Sequence, residues 1–224
     1  DRKRNSVLIK KDSKNMLIVR GAAESILSHL KNHTDEKLKH WILKQENQGK
    51  RVIIIAHKFL PNLKEYSKKT EEGDLYLTGA ISLLDPLKKS ASEAIKKAQK
   101  LGVAIKIITG DSPIVAGSIG FQVGLITTPT DVITAEEFYK LSALEQKRKA
   151  ASFNIFARFS PHEKFQLINL LKEQFEVGYL GEGINDAPAL KSANVALVVQ
   201  GASDIARESA DIILLNKSLR VIID

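Results

Sequence analysis

Residues 154–180 read NIFARFSPHEKFQLINLLKEQFEVGYL, and this stretch decides the fold. The run at 154–157, which is apolar after Asn154, predicts a strand, the spacing of apolar residues at 162–174 predicts an amphipathic helix, and 177–180 predicts a second strand. A strand, a helix and a strand in succession are typical of a parallel sheet covered by helices.

The same alternation extends to both sides of this stretch and covers residues 74–224. Further strands are predicted at 75–84, 103–108, 195–199 and 211–215, and further helices at 92–100, 113–123 and 135–150. This pattern predicts a doubly wound α/β domain, with a parallel sheet and helices on both faces. Such sheets bind ligands at the carboxyl ends of their strands, so we expect functional residues directly after each strand.

The first 73 residues have a different pattern, which is typical of an α+β domain. Strands at 6–10 and 16–20 flank turn-forming residues and predict a hairpin, and they are followed by predicted helices at 22–30 and 36–48 and a strand at 51–58. Residues 61–73 are polar, charged and aperiodic, which favours a linker. The sequence therefore predicts two domains, 1–73 and 74–224.

Composition excludes several classes of protein. The chain has 224 residues, of which 43% are hydrophobic, so it is long enough to bury a stable core. The absence of cysteine excludes a disulfide framework, a thiolate zinc site and a cysteine nucleophile. The longest apolar runs fall far short of the ~20 residues that cross a bilayer.

The net charge of +8 is concentrated in the first quarter of the chain. Residues 1–58 hold 14 Lys and Arg against 6 Asp and Glu, and the rest of the chain is balanced. A nucleic-acid partner would require a basic helix face or a set of stacking aromatic residues, and the sequence has neither. The charge fits a small polyanion such as a nucleotide, with a solvated cationic surface as an equal alternative.

Three predicted strand ends carry groups that suit a phosphoryl group and its metal ion. Thr109, Gly110 and Asp111 follow one strand, and Lys164 lies one turn into the helix after another. The third strand end carries Glu182, Asn185 and Asp186. Together these strand ends bring a hydroxyl, an ammonium group, an amide and carboxylates to one crevice, and such groups can hold a phosphoryl group with Mg²⁺.

Each of these groups also has an ordinary structural interpretation when taken singly. Thr109 and Asp111 are common N-cap residues before the helix that starts near Pro113, and a lone lysine is most often a surface residue. Asn185 and Asp186 could equally cap the helix that follows them. Their occurrence at three strand ends is what favours a functional site.

The same motifs resemble the signatures of the P-type cation-transporting ATPases, whose phosphorylation domain belongs to the haloacid dehalogenase-like superfamily. The matching runs are Thr109-Gly110-Asp111, Phe156-Ala157-Arg158 with Pro161 and Lys164, and residues 181–190, GEGINDAPAL. Residues 2–7 and 20–24 are similar to two stretches of the nucleotide-binding domain of those pumps, and Asp85-Pro86 matches a hinge motif. The resemblance covers essentially the whole chain, and residues 201–219 are most similar to the magnesium-transporting branch.

The resemblance implies a role for each site residue. Thr109 and Gly110, with Asp111 in the same motif, would hold the phosphoryl oxygens, Lys164 would neutralise their charge, and Asn185 would donate a hydrogen bond. The implied Mg²⁺ ligands are Glu182 and Asp186. The implied ATP contacts are Arg20, Gly21 and Arg51, joined by Asp85 as the domains close.

The chain departs from the family pattern at several positions. The family's phosphate-accepting Asp lies in an Asp-Lys-Thr-Gly-Thr run, which does not occur in this sequence. We therefore expect a fragment that begins partway through the nucleotide-binding domain and lacks the first strand of the phosphorylation domain. Within the motifs, Glu182 replaces Asp, Arg20 replaces Lys and Leu87 replaces Pro, which leaves a weakened or silent pump as an alternative.

The resemblance thus implies an enzyme, an ATP-driven cation pump that works through an aspartyl phosphate and transports Mg²⁺. Its partners would be ATP and the transmembrane and actuator domains of the same polypeptide. The fragment itself is expected to be soluble, inactive alone, and located at the cytoplasmic face of a membrane. A non-catalytic nucleotide-binding module and a soluble phosphatase of the same superfamily are the alternatives, although a phosphatase needs a nucleophilic Asp that this chain lacks.

Overall fold

The computed structural model describes residues 3–11, 14–31, 35–60, 72–88, 90–216 and 221. They fall in two compact units, Asp1–Asp85 and Pro86–Asp224. Of the predicted linker at 61–73, only Glu72 and Gly73 are among the described residues. No helix in the described ranges is long and apolar enough to cross a membrane.

In the described part of the first unit, the chain forms a four-stranded antiparallel sheet and two helices. The strands pair in the order β1-β2-β3-β4, with the bounds Arg4–Lys11, Lys14–Ala22, Arg51–Leu60 and Tyr76–Leu83. The helices are α1 (Ala23–Leu27) and α2 (Glu36–Glu46). The pairing of β1 with β2 confirms the predicted hairpin, and both predicted helices form, although each is shorter than expected.

Alternation along the strands divides the sheet into a core face and an open face. Leu17 and Val19 of β2 and Ile54 of β3 are fully buried against Ile26 of α1 and Ile42 of α2. The intervening residues point to the other face because successive side chains of a strand alternate in direction. Arg20 of β2 and Arg51 of β3 lie on that open face, whereas Lys58 of β3 pairs with Leu17 on the core face.

The strand predicted at 75–84 belongs to the first unit and not to the second. It forms β4, which pairs antiparallel with β3, for example at Ile53 and Ile81. The boundary between the units consequently follows Asp85, later than the sequence pattern indicated. A short apolar strand fits a sheet of either domain, so its pattern alone does not identify the strand with which it pairs.

A buried ion pair fastens the chain to the first unit just before β4. Glu72 is 1% exposed, and its Oε2 accepts from Nε of Arg4 at 2.9 Å while its Oε1 accepts from the Ser6 hydroxyl at 2.6 Å. Arg4 also donates through Nη1 to the Ser25 hydroxyl at 3.2 Å. The carbonyl of Gly73 accepts from Nζ of Lys58 at 3.0 Å, so both residues pack onto the sheet.

The described residues of the second unit form two three-stranded parallel sheets with short helices between the strands. One sheet has the order β5-β7-β6 and the other β10-β9-β8. The strands are β5 (Ile107–Ile108), β6 (Ile133–Thr134), β7 (Ile155–Ala157), β8 (Gly178–Gly181), β9 (Val195–Val199) and β10 (Ile212–Leu214). The helices are α3 (Ala91–Lys100), α4 (Pro113–Gln122), α5 (Ala135–Tyr139), α6 (Ala143–Ser152), α7 (Pro161–Lys172), α8 (Ala187–Ser192) and α9 (Asp204–Glu208).

This architecture confirms the predicted α/β class with parallel strands. The helix predicted at 135–150 is in fact two helices, because Ser142 caps a new one and forms a capping box with Glu145. The predicted strand at 103–108 shortens to β5. Both β6 and α9 were missed, and α8 is the helix that was considered only as an alternative after Asp186. These elements have two to six residues, too few for a periodic pattern to emerge.

The two sheets share a core around α7. Leu167 and Leu171 of this helix pack in the cluster that contains Phe156 of β7, while Ile168 packs with Tyr179 of β8. Ile108 of β5 is partly buried against both clusters. Within the described residues, β5 and β8 are each the end strand of their sheet.

Candidate phosphoryl site

Lys164 lies in the first turn of α7, and the sequence around it fixes where that helix begins. Ser160 is the N-cap, and its hydroxyl accepts from the N–H of Glu163 at 3.3 Å while a carboxylate oxygen of Glu163 accepts from the Ser160 N–H at 2.7 Å. Pro161 occupies the first helical position, where no N–H is needed. This start places Lys164 at the carboxyl end of β7.

Lys164 forms an ion pair with Asp186 in the turn after β8. Its Nζ lies 2.8 Å from Oδ1 of Asp186, and both side chains are 15% exposed. The Tyr179 hydroxyl donates to the same oxygen at 3.0 Å, and the N–H groups of Gly183 and Glu182 donate to Oδ2 at 3.3 and 3.4 Å. Four donors therefore surround this carboxylate.

These contacts determine the ionisation of the cluster. Burial opposes ionisation of Asp186, but the hydrogen bond and charge of Lys164, with Tyr179 and Gly183, outweigh it and lower the pKa of the carboxyl group below its ordinary value. Burial, reinforced by the charge of Asp186, raises the pKa of the Tyr179 phenol far above its ordinary value. The cluster therefore holds an ionised Asp186 beside a neutral Tyr179 at neutral pH.

Thr109, Gly110 and Asp111 form a tight turn at the carboxyl end of β5. The N–H of Asp111 donates to the Thr109 hydroxyl at 3.1 Å, and that hydroxyl lies 3.1 Å from Oδ2 of Asp111. The N–H of Thr109 donates to the Phe156 carbonyl of β7 at 2.9 Å. The turn is therefore joined directly to the end of the neighbouring strand.

The two groups lie at the same edge of the second unit. Thr109 bonds to the carboxyl end of β7, α7 starts at that same end, and Lys164 of α7 bonds to Asp186, which follows β8. The carboxyl ends of β5, β7 and β8 are thus neighbours. A hydroxyl, an ammonium group and a carboxylate at one edge of a parallel sheet are typical of a site that handles phosphoryl groups.

Glu182 and Asn185 lie in the same turn as Asp186, with exposed side chains. The backbone of Glu182 is held, since its carbonyl accepts from the Ser203 N–H at 3.0 Å. No group of three or more acidic or histidine side chains that could hold a metal ion by itself occurs in the described part of the chain. The chemistry of the two carboxylates in this turn still suits Mg²⁺, which is commonly held by one or two carboxylates together with substrate phosphates and water.

The predicted nucleotide contacts lie in the first unit. Arg20 is exposed on the open face of the sheet opposite Ile55, and Arg51 is exposed on the same face four residues earlier in β3. A Cβ on Gly21 would lie 2.6 Å from the Lys3 carbonyl, so this glycine allows β1 to approach β2. Asp85 is exposed and lies outside regular structure.

Sequence reasoning missed Tyr179 and the role of Arg158. Tyr179 was considered only as part of an apolar strand, although a tyrosine in a buried strand needs a partner for its hydroxyl. Arg158 was part of a motif without a role, yet its Nη1 donates to the Gly110 carbonyl at 3.0 Å. The contact of Tyr179 could have been predicted from the sequence, since β8 leads directly into the turn that carries Glu182 and Asp186.

Comparison with known protein families agrees with the parallel α/β fold of the second unit. The family profile described as haloacid dehalogenase-like hydrolase matches residues 11–194. The chain belongs to this family of hydrolases.

Similar proteins of known type are cation pumps. The chain is 39% identical to "Magnesium-transporting ATPase, P-type 1" of Salmonella typhimurium and 38% identical to the protein of that name in Escherichia coli, over 99% of the chain in both cases. An endoplasmic reticulum calcium ATPase of Aspergillus fumigatus is 30% identical over the same share. The chain spans about a quarter of the length of these relatives, 26% in each case.

Proposed function

We propose that this chain is a cytosolic part of a P-type ATPase, an ATP-driven cation pump that works through an aspartyl phosphate and transports Mg²⁺. The observation that carries the proposal is the similarity of 99% of the chain to magnesium-transporting ATPases about four times as long. The Lys164–Asp186 pair beside the Thr109 turn supports it from the chemistry of the site. The whole protein would be an integral membrane protein with this part at the cytoplasmic face.

The two units would correspond to two domains of such a pump. The first would be the later part of the nucleotide-binding domain, and the second the phosphorylation domain without its first strand and acceptor Asp. The end strands of the two parallel sheets support this assignment. Among the described residues β5 and β8 are end strands, and Ile108 contacts the cores of both sheets, so one further parallel strand between them would join the sheets into one.

The residues of the second unit would act on the phosphoryl group by position and charge. The Lys164 ammonium would neutralise phosphoryl oxygens, and the hydroxyl of Thr109, the N–H of Gly110 and the amide of Asn185 would donate hydrogen bonds. Phosphoryl transfer depends mainly on such positioning and neutralisation. Glu182 and Asp186 would hold Mg²⁺, which supplies positive charge to the phosphates when bound.

A phosphorylation assay on the full-length protein tests the proposal. With γ-labelled ATP we expect acid-stable label on an aspartate upstream of this chain, and Lys164→Met should lower it by about 100-fold, as for loss of a transition-state contact. Lys191→Met is the matched control, because Lys191 is an exposed lysine on α8. Equal label in the two variants would contradict the site, and label that is not acid-stable would contradict the aspartyl phosphate.

The chain alone should neither hydrolyse ATP nor form a phosphoprotein, because it lacks the acceptor. It should still bind ATP weakly through Arg20, Gly21 and Arg51, with affinity falling as salt screens the cationic surface. Amide chemical shifts in an ATP titration measure this. Shifts confined to residues beyond Asp85 would contradict the nucleotide-binding assignment.

A further inference from the structure

Arg158 stands at a bulge where β7 ends. Regular pairing continues to Thr109, whose N–H donates to the Phe156 carbonyl at 2.9 Å. Regular parallel pairing would next join the Arg158 N–H to the Thr109 carbonyl, but the bond comes instead from the N–H of Phe159 at 3.0 Å. Arg158 is therefore an extra residue in the ladder, and bulges of this kind are frequent beside active sites, where they redirect a side chain.

The redirected residue holds the turn at 109–111 from one side. The N–H of Phe159 donates to the carbonyl of Thr109, and Nη1 of Arg158 donates to the carbonyl of Gly110 at 3.0 Å. The N–H of Arg158 donates to the carbonyl of Asp111 at 3.1 Å. All three carbonyls of the turn are thus held by two consecutive residues, and Arg158 supplies both a main-chain and a side-chain donor.

The backbone of Arg158 is strained in this position. Its φ is 62°, and in the described part of the second unit it is the only residue other than glycine with a positive φ. Such a conformation costs free energy and persists only where the surroundings hold it. Glycine would adopt it without strain but has no side chain to reach Gly110. An arginine at a position that suits glycine indicates that the contact of its guanidinium with the Gly110 carbonyl compensates for the backbone strain.

We propose that Arg158 is a positioning residue of the phosphoryl site. By fixing the carbonyl side of the turn at 109–111, it presents the Thr109 hydroxyl and the Gly110 N–H to the phosphoryl group that Lys164 neutralises. The planar guanidinium suits this task because its donors have a fixed direction, unlike the ammonium of lysine. The inference rests on the proposed function, since there the turn contacts a phosphoryl group.

The test uses the 224-residue chain, inorganic phosphate as the probe, and three variants of Arg158. Arg158→Gly relieves the strain and removes the donor, Arg158→Lys restores one donor, and Arg158→Gln keeps a long side chain should the glycine variant fail to fold. Arg148→Gln is the matched control, because it removes an exposed positive charge on α6. The measurements are phosphate affinity at the Thr109 and Gly110 amides, amide hydrogen exchange of the turn, and thermal unfolding.

We expect Arg158→Gly to weaken phosphate binding about tenfold, which corresponds to one lost hydrogen bond from a charged donor. Its unfolding midpoint should stay close to that of Arg148→Gln, because relief of strain offsets the lost bond, and Arg158→Lys should recover part of the affinity. Exchange of the Asp111 N–H should become faster in the glycine variant without phosphate.

Two results separate this inference from the proposed function. If the unmodified chain binds no phosphate at Thr109 and Gly110, the phosphoryl site is contradicted, and amide exchange alone then decides whether Arg158 holds the turn. If exchange and phosphate affinity in Arg158→Gly, or in Arg158→Gln, equal those of Arg148→Gln, the positioning role is overturned.

Discussion

Replacing Glu72 with alanine should destabilise the first unit far more than any exposed charge in it. Glu72 is 1% exposed and accepts from Arg4 and Ser6, so its loss leaves a guanidinium that is 15% exposed without its carboxylate. Breaking a buried ion pair from one side costs about 3–5 kcal/mol. Because Arg4 keeps its bond to Ser25, we expect the lower end, about 3 kcal/mol. Glu72→Gln preserves the shape and should cost about 1–2 kcal/mol.

Urea unfolding followed by the fluorescence of Trp41 measures this effect. Trp41 is the single tryptophan of the chain and packs against the core of the first unit, so its signal reports that unit. With a slope of about 2 kcal/mol/M, a loss of 3 kcal/mol lowers the midpoint by about 1.5 M. Lys39→Ala, which breaks an exposed pair with Glu36, is the control and should leave the midpoint unmoved. Equal midpoints for Glu72→Ala and Lys39→Ala would refute the reasoning.

Three further predictions concern the second unit. Gly117→Ala should destabilise the second unit by about 1–3 kcal/mol, because the new Cβ would lie 1.9 Å from the Pro129 carbonyl oxygen. A Cβ on Gly201 would meet nothing within 4 Å, so Gly201→Ala is the control and should leave the thermal unfolding midpoint unchanged. Burial, with the charge of Glu163, raises the pKa of Tyr139 to about 12. Because Tyr139 then ionises first in the unfolded chain, the free energy of unfolding should fall between pH 10 and 12. The Tyr139→Phe variant should lose less stability over that range, and identical stability profiles against pH for the variant and the unmodified chain would contradict this. Glu182→Asp in the full-length protein should raise phosphoenzyme formation at limiting Mg²⁺, and replacing Mg²⁺ with Mn²⁺ should narrow the difference between the variant and the unmodified protein. Indistinguishable Mg²⁺ concentrations for half-maximal phosphorylation of the two proteins would contradict this.

The sequence predicted those parts of the fold that depend on local patterns. The stretch at 154–180 forms β7, α7 and β8 with ends shifted by at most two residues, because helix and strand periodicity and the Ser160 cap are local signals. The position of β4 was not predictable in this way. Its pairing with β3 joins residues far apart in the chain, such as Ile53 and Ile81, and a strand's own residues do not encode its partner.

The candidate site was predicted as a set of residues but not as a geometry. The motifs identified Lys164 and Asp186, and the structure pairs them. That Tyr179 shares the same carboxylate oxygen, and that Arg158 holds the Gly110 carbonyl, depend on the spacing of two strands and on a positive φ. Backbone bulges arise from tertiary packing, so residue types alone do not predict them.

The capping box of α7 has a consequence for the origin of charge in the site. A helix start often attracts anions through its free N–H groups, but here Ser160 has taken the N–H of Glu163 and Pro161 has none to offer. The Glu163 carboxylate further offsets the positive end of the helix dipole. The start of the helix therefore offers the site the ammonium group of Lys164, which lies 2.8 Å from Asp186, in place of free N–H groups. In the proposed site, a charge carried on one side chain could pass from Asp186 to an anion, which a row of fixed backbone N–H groups cannot do.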